Sequence, residues 1–181
     1  MSASGTPLTG LTGLASIGST GGISRSCMGT MMPGTAQHRA GYVEPMNLDE
    51  ARAFVRDHHR AILTTSRDDG SPQMSPVAVA VDDRGRLVVS TRQTALKTRN
   101  LRKRPKAWLC VISDGFYGQW VQVEGDVEIL ELPEAMEPLV DYYRQISGEH
   151  PDWDDYRAAM ERDRRVLLCI TPRRAGPDVE G

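Results

Sequence analysis

The sequence predicts a mainly β protein, in which six antiparallel strands curl into a barrel with flanking helices. Two observations lead to this fold class. The strand-like segments are short and follow one another through turn sequences, and only one helical segment interrupts the first five of them. A doubly wound parallel sheet would need a helix after nearly every strand, so a closed antiparallel sheet accounts better for this order of elements.

The first element is a helix that begins after Asn47. Asn47 and Glu50 have the three-residue spacing of a capping box, with Asn in place of Ser or Thr. Leu48, Ala51 and Val55 then fall on one helical face, which predicts an amphipathic helix packed against the sheet.

Six segments have the composition of strands, namely residues 60–66, 73–82, 86–91, 107–113, 119–130 and 165–171. The turn sequences DDG at 68–70 and DRG at 83–85 separate the first three. In the second segment Val77, Val79 and Val81 alternate with alanines, a pattern typical of a half-buried strand.

Three further helices are expected. Residues 94–104 read as a helix that stops at Pro105, and residues 131–147 read as an amphipathic helix that stops at Gly148. Asp152 is placed to cap a short helix that precedes the last strand.

Residues 1–41 differ from the rest of the chain. They are rich in Gly, Ser and Thr, contain no acid, and carry Arg25 and Arg39 as their only formal charges. Such a composition buries too little apolar surface to offset the entropy of ordering the chain. We therefore expect a disordered extension over 1–41, one domain over 42–174 and a flexible tail over 175–181.

The composition argues against three kinds of function: binding of nucleic acid, crossing of a membrane and binding of a metal ion. The net charge of −2 gives no global reason to expect a nucleic-acid partner, and no run of about 18 apolar residues predicts a membrane span. Cys27, Cys110 and Cys169 have no metal-binding spacing, and the histidines are scattered, so no metal site is expected. We interpret the cysteines as structural thiols of a cytoplasmic protein.

The most unusual local feature is a basic stretch. Residues 85–113 contain no acid and eight bases, which are Arg86, Arg92, Lys97, Arg99, Arg102, Lys103, Arg104 and Lys106. Thr91 and Arg92 end a predicted strand and Lys97 lies near the start of the next helix, where main-chain amides and the helix dipole favour an anion. The pattern predicts an anion site, while a solvated basic surface is the alternative. No aromatic residues are interleaved with the bases, which argues against single-stranded nucleic acid.

Several segments resemble the pyridoxamine-phosphate-oxidase-like split-barrel superfamily, which binds flavins and deazaflavins. AILTTSRDDGSPQMSPV resembles its first hairpin, RLVVSTRQTALKTRNLRKRPKAWLCV its phosphate-binding core, and VQVEGDVEIL its Glu-Gly strand. The segment YRQISGEHPDWDDYRAAMERDRRVLLCIT resembles the actinobacterial branch that uses coenzyme F420. The resemblance covers residues of about 47 to 172.

The resemblance implies a set of cofactor-binding residues. Lys97 falls on the family's phosphate-binding lysine, and Thr91, Arg92, Thr98 and Asn100 fall on or beside positions that contact the cofactor. The strand that faces the cofactor ring and the segment where a dimer partner approaches supply the others, which are Gln73, Ser75, Pro76, Val77 and Tyr117. Gln73 and Gln122 are the weaker candidates, since an exposed strand glutamine is ordinary. For Tyr117 and Trp120, packing in the core or at a dimer interface is the favoured alternative. No catalytic side chain is implied, because in hydride transfer the cofactor carries the chemistry.

The resemblance implies a homodimeric oxidoreductase of the FMN-binding split-barrel fold. We expect it to use F420 for hydride transfer to an unsaturated small-molecule substrate, chiefly because the YRQISGEHPDWDDYRAAMERDRRVLLCIT segment resembles the F420 branch. The bases beyond Lys97 also suit that coenzyme's acidic tail, and they contribute less to this preference. The alternatives are an enzyme that uses FMN, and a carrier that binds F420 or flavin without catalysis. The identity of the substrate is not encoded in these motifs, since family members vary the pocket walls.

Overall fold

The computed structural model describes residues 46–115 and 118–180, of which residues 177–180 are described by their backbone alone. The helices are α1 (Leu48–Asp57), α2 (Leu96–Lys103), α3 (Met136–Ser147) and α4 (Trp153–Arg162). The strands are β1 (Arg60–Ser66), β2 (Pro72–Ala78), β3 (Ala80–Val81), β4 (Leu87–Arg92), β5 (Lys106–Ile112), β6 (Gln119–Leu130) and β7 (Arg165–Glu180). The predicted fold class is confirmed, with seven strands where the sequence predicts six.

All seven strands belong to one antiparallel sheet with the order β2-β1-β5-β6-β7-β4-β3. The extra strand arises because the predicted second strand is interrupted at Val79, whose N–H donates to the carbonyl of His59 at 2.9 Å. Before Val79 the chain pairs with β1, and after it the chain pairs with β4. The two edges of the sheet are therefore one stretch of chain, and the sheet must curl on itself into a barrel.

The barrel remains open between β2 and β4. β3 pairs with β4 only through Leu87 and Val88, so residues 89–92 have no ladder partner on that side within the described chain. Among the described strands, β2 pairs with β1 alone. Two free strand edges thus face the same opening, which is the split of the barrel.

The last strand is longer than the sequence predicts. β7 runs to Glu180 and pairs with β6 as far as Gln119, through the segment for which the sequence predicts a flexible tail. Pro172 and Gly176 are poor strand formers, and this composition conceals the strand in the sequence. Ladder pairing to β6 holds the segment in an extended conformation despite its low intrinsic propensity.

The core lies on both faces of β7. Val166, Leu168 and Ile170 point into the barrel, where α1 closes one side, while Leu167 and Cys169 point outward beneath α3 and α4. A strand buried on both faces reads as a continuous apolar run. Burial raises the pKa of the Cys169 thiol to about 11, which agrees with the structural role expected for it.

Two helices, α1 and α4, begin after residues whose side chains cap them. Asn47 and Asp152 are N-caps, as the sequence predicts: the Asp152 side chain accepts from the N–H groups of Asp154 and Asp155. The Asn47 side chain accepts from the N–H of Asp49, one residue before the Glu50 that the predicted capping box would use. α3 begins at Met136, later than residue 131, and α2 begins at Leu96, later than residue 94.

Within the described residues, no helix has the length and apolarity that crossing a bilayer requires.

Candidate functional site

A cleft of about 460 Å³ lies in the split of the barrel. Pro76 and Val77 of β2 form one wall, and the unpaired end of β4 with the start of α2 forms the other. The residues that line it are Pro76, Val77, Ser90, Thr91, Arg92, Thr94, Ala95, Lys97 and Arg165. Five residues predicted from the sequence, which are Pro76, Val77, Thr91, Arg92 and Lys97, therefore meet at one place.

The turn from β4 into α2 is built by hydrogen bonds to one carbonyl. The carbonyl oxygen of Arg92 accepts from the N–H of Ala95 at 3.0 Å and from the hydroxyl of Thr98 at 2.9 Å. Ala95 caps α2 without a side-chain hydrogen bond, so the first amides of the helix have no side-chain acceptor from the cap. Free amides at a helix N-terminus favour an anion.

The cleft carries excess positive charge. Three cations line it, Arg92, Lys97 and Arg165, and within the described chain the one carboxylate within 4.0 Å of any of them is Asp163. Asp163 lies 3.3 Å from the Arg92 guanidinium. Burial first, and then the charge of Arg165, lowers the pKa of Lys97 below its ordinary value. The arrangement favours a ligand that brings negative charge into the cleft.

In the folded chain, the net positive charge around the basic stretch is smaller than the sequence of that stretch alone indicates. Acids from distant segments neutralise most of it: Lys103 and Arg104 contact Asp68 at 2.7 and 3.1 Å, and Arg102 contacts Glu131 at 2.7 Å. The same ion pairs lower the pKa of Asp68. Arg86 and Lys106 also have acidic partners, so Lys97 and Arg99 are the members of the stretch without an ion pair in the described part of the chain.

Three residues predicted for the site serve the protein's own structure. The hydroxyl of Thr98 holds the β4–α2 turn, as described above. The amide of Asn100 donates to the Thr65 hydroxyl at 3.0 Å, and that hydroxyl donates to Gln73 at 3.1 Å. This chain of hydrogen bonds fastens α2 to the hairpin that carries one wall of the cleft.

The other predicted residues within the described chain do not line the cleft. Ser75 lies on β2, and its buried hydroxyl has no hydrogen-bond partner in the described structure. Gln122 and Trp120 lie on β6, where Gln122 is exposed and Trp120 is half-buried. Tyr117 lies outside the described residues, together with Phe116.

Four lining residues were not among those predicted: Ser90, Thr94, Ala95 and Arg165. The first three lie beside predicted positions in the sequence. Arg165 is 68 residues beyond Lys97 and reaches the cleft because β7 pairs with β4, with Arg165 opposite Arg92 in the ladder. Strand pairing over that distance is a property of the topology, and the RDRR run at 162–165 is the only sequence signal.

A larger cavity, of about 660 Å³, lies between the β3–β4 turn, β6 and α3. Its charged side chains are largely paired with one another, as Arg86 is with Asp82 and Glu128. None of the predicted residues that the structure describes lines this cavity. Among the described residues, no group of three His, Cys, Asp or Glu side chains is arranged to hold a metal ion.

Comparison with known protein families gives one match over most of the chain. A family model described as pyridoxamine 5'-phosphate oxidase matches residues 48–176. This range begins at α1, contains the whole cleft and ends within β7.

Solved structures share the fold. The conserved hypothetical protein Rv2991 from Mycobacterium tuberculosis is 26% identical, with 81% of this chain and 98% of that chain covered and a TM-score of 0.61. A protein described as an F420 reductase is 23% identical, with 69% and 94% covered and a TM-score of 0.55. The heme storage protein HutZ from Vibrio cholerae is 16% identical, with 75% and 98% covered and a TM-score of 0.57. At these last two identities the likeness concerns the fold alone.

Proposed function

The chain belongs to the pyridoxamine 5'-phosphate oxidase family, and from this membership we propose that it is an oxidoreductase that holds a phosphate-bearing deazaflavin or flavin in the split of its barrel. The observation that carries the proposal is the half-buried cation Lys97, which faces a cleft with excess positive charge and uncapped helix amides. A phosphate group supplies the negative charge and the hydrogen-bond acceptors that this wall of the cleft lacks.

Different residues of the cleft would bind the two ends of the cofactor, the phosphate and the ring. Lys97 and the first amides of α2 would hold the phosphate, and the free edge of β2 at Pro76 and Val77, which lines the same cleft, would face the ring. When bound, the ring system supplies hydride transfer, and the protein contributes binding, orientation and exclusion of water.

We propose coenzyme F420 as the cofactor and FMN as the alternative. The preference rests on the likeness of the α3–α4–β7 segment to the deazaflavin branch, since either cofactor offers a phosphate to Lys97. The bases beyond Lys97 support it less than the sequence implies, because Arg102, Lys103 and Arg104 already pair with acids. Arg99 is the base of that group left for the coenzyme's acidic tail.

We further propose that two copies of the chain form the working unit. The outward residues of β2, β1, β5 and β6 include a set of apolar side chains, interspersed with polar ones such as Thr64, Gln122 and Glu124. The apolar members are Met74, Pro76, Ile62, Trp108, Cys110, Ile112 and Trp120. Met74 is 64% exposed, which is unusual for a large apolar side chain. Pro76 belongs both to this surface and to the cleft, so a second copy packed here would close the cleft over a bound ring.

The experiment that tests the function is a cofactor titration followed by turnover. Purified protein is titrated with F420, FMN and riboflavin while absorbance and fluorescence are recorded. We expect tight binding of F420 or FMN and weaker binding of riboflavin, which lacks the phosphate. Protein that binds neither F420 nor FMN more tightly than riboflavin would contradict the proposal.

Turnover separates an enzyme from a carrier. The complex with reduced cofactor is mixed with a panel of enones and quinones, and reoxidation is followed at the cofactor's absorbance band. We expect at least one acceptor to reoxidise the bound cofactor faster than it reoxidises free cofactor. Binding without such acceleration would favour a carrier.

A further inference from the structure

Arg165 is fixed in place by the turn that ends α4. Arg164 has a left-handed backbone with φ of 48°, and its carbonyl accepts from the N–H of Gln93 at 2.9 Å. The following residue, Arg165, enters β7 opposite Arg92. A left-handed conformation is uncommon for a side chain of this size and persists where the surroundings enforce it. The backbone of Arg165 is therefore held at the edge of the cleft from two sides.

The Nε of the Arg165 guanidinium lacks an acceptor within the described residues. This nitrogen is also buried. Asp163 Oδ2 lies 3.9 Å away, which is too far for a hydrogen bond, and the same oxygen accepts from Arg92 at 3.3 Å. A buried donor of a charged group is costly to leave unpaired, so the site is incomplete as the chain alone forms it.

Lys97 lacks an anionic partner in the described chain. It lines the same cleft, no carboxylate of the described chain lies within 4.0 Å of it, and the charge of Arg165 disfavours its protonated form. Two cations that share a cleft repel one another unless an anion lies between them. A tetrahedral oxyanion offers acceptors to Lys97, to Arg165 and to the first amides of α2 at once.

We propose that Arg165 is a second anion-binding residue of the cleft and acts with Lys97 as a clamp for a phosphoryl group. Inorganic phosphate alone then binds to the protein without any cofactor. The proposal rests on the proposed function in one respect, namely that the phosphoryl group held in the cell is that of the cofactor. Asp163 acts as a positioning residue, since it contacts both Arg92 and Arg165 from outside the cleft lining.

The test measures inorganic phosphate binding to the full chain by calorimetry and by the shift in melting temperature. The variants are Arg165→Gln, Arg165→Lys and the control Arg157→Gln, which removes an α4 arginine that pairs with Glu137 away from the cleft. We expect Arg165→Gln to weaken phosphate binding at least about tenfold, Arg165→Lys to retain part of it, and the control to bind as the parent does. Without phosphate, Arg165→Gln should melt at the same temperature or higher, because it removes the repulsion with Lys97.

The outcomes separate the clamp from the proposed function. Equal phosphate affinity in the parent and in Arg165→Gln, or no phosphate binding by the parent, overturns the clamp. A lower melting temperature of Arg165→Gln without phosphate, with phosphate affinity unchanged, also overturns it, because Arg165 is then structural. Phosphate binding that depends on Arg165, in a protein that binds neither F420 nor FMN, supports the clamp and contradicts the proposed function. Cofactor and phosphate binding that survive Arg165→Gln at full affinity contradict the clamp alone.

Discussion

At the scale of single residues, Lys97 distinguishes a binding cleft from an ordinary basic surface. Most bases of the stretch from Arg86 to Lys106 pair with an acid elsewhere in the fold, whereas Lys97 is half-buried among cleft residues and has no acidic partner in the part of the chain that the structure describes. A cation that is partly desolvated and unpaired weakens the unliganded protein. Such a residue is expected where a charged ligand completes the site.

Replacing Lys97 by alanine is expected to weaken cofactor binding by about 1.5–3 kcal/mol, the usual value of a hydrogen bond to a charged group. The fold should be preserved, because the side chain makes no ion pair in the described structure. Fluorescence titration of the variant measures the effect, with Arg56→Ala on α1 as a control for the loss of one positive charge. Equal affinities of Lys97→Ala and the parent would remove Lys97 from the site.

The lowered pKa of Lys97 also predicts a pH dependence. The protonated form binds the anion, so affinity should fall as the pH rises through the lowered pKa, which begins below the ordinary value of 10.5. The sign is opposite for the unliganded fold, whose stability rises with pH: the cost of the buried charge is fully present below the folded pKa and disappears as the pH rises toward 10.5. Titrations of phosphate or cofactor between pH 7 and 10.5 measure this, and Lys97→Arg should keep its affinity to the highest pH. Parallel curves for parent and Lys97→Arg would contradict the assignment.

Gly125, in the Glu-Gly pair of β6, is required by close packing. A Cβ there would lie 2.5 Å from the carbonyl oxygen of Thr171 and 2.7 Å from the Ile170 side chain. Gly125→Ala is therefore expected to destabilise the fold by about 1–3 kcal/mol, the usual cost of overpacking. Denaturant unfolding measures it against Gly115→Ala, where the added methyl would make only an ordinary contact at 3.8 Å. A Gly125→Ala protein as stable as its parent would show that β6 and β7 can move apart.

At the scale of elements, the position of α2 depends on a buried hydrogen-bond chain. Asn100 and Thr65 are buried, and with Gln73 they join α2 to the β1–β2 hairpin across the barrel opening. The cleft lies between these same elements, so the chain fixes the distance between its walls. Asn100 thus has a structural task even though the family resemblance places it at the cofactor.

Asn100→Ala is expected to lower the free energy of unfolding by about 1–3 kcal/mol, because it leaves the Thr65 hydroxyl without its donor. Denaturant unfolding gives this value. Inorganic phosphate binding to the folded variant should change little, since Lys97 and Arg165 remain. A variant of unchanged stability that no longer binds cofactor would instead place the Asn100 amide on the ligand.

At the scale of the whole molecule, the apolar outer surface of β2, β1, β5 and β6 predicts self-association. We expect light scattering to give a particle of twice the 20.0 kDa chain. Met74→Glu places a charge in that surface and should give monomers with weakened cofactor binding, as should Trp120→Ala. The control Ala158→Glu changes an exposed residue of α4 and should leave the dimer intact. A monomeric parent that binds cofactor at full affinity would contradict the shared-site proposal.

The sequence alone determined the features that depend on neighbours in the chain. The helix caps at Asn47 and Asp152, the strand segments of β1 and β5 and the place of the proposed anion site near Lys97 follow from spacing and residue type over a few positions. Local propensity and periodicity act over that range, and here they agree with the final fold. The segment around Lys97 also carries most of the family resemblance.

Only the tertiary structure decided what depends on distant segments. The break at Val79 is set by which strand each half pairs with, and the extension of β7 to Glu180 is set by its ladder with β6. The charge of the basic stretch is set by Asp68 and Glu131, and the second cation of the cleft comes from Arg165 through the pairing of β7 with β4. Strand pairing and ion pairing act through space, and residues far apart in the sequence become neighbours only when the sheet closes.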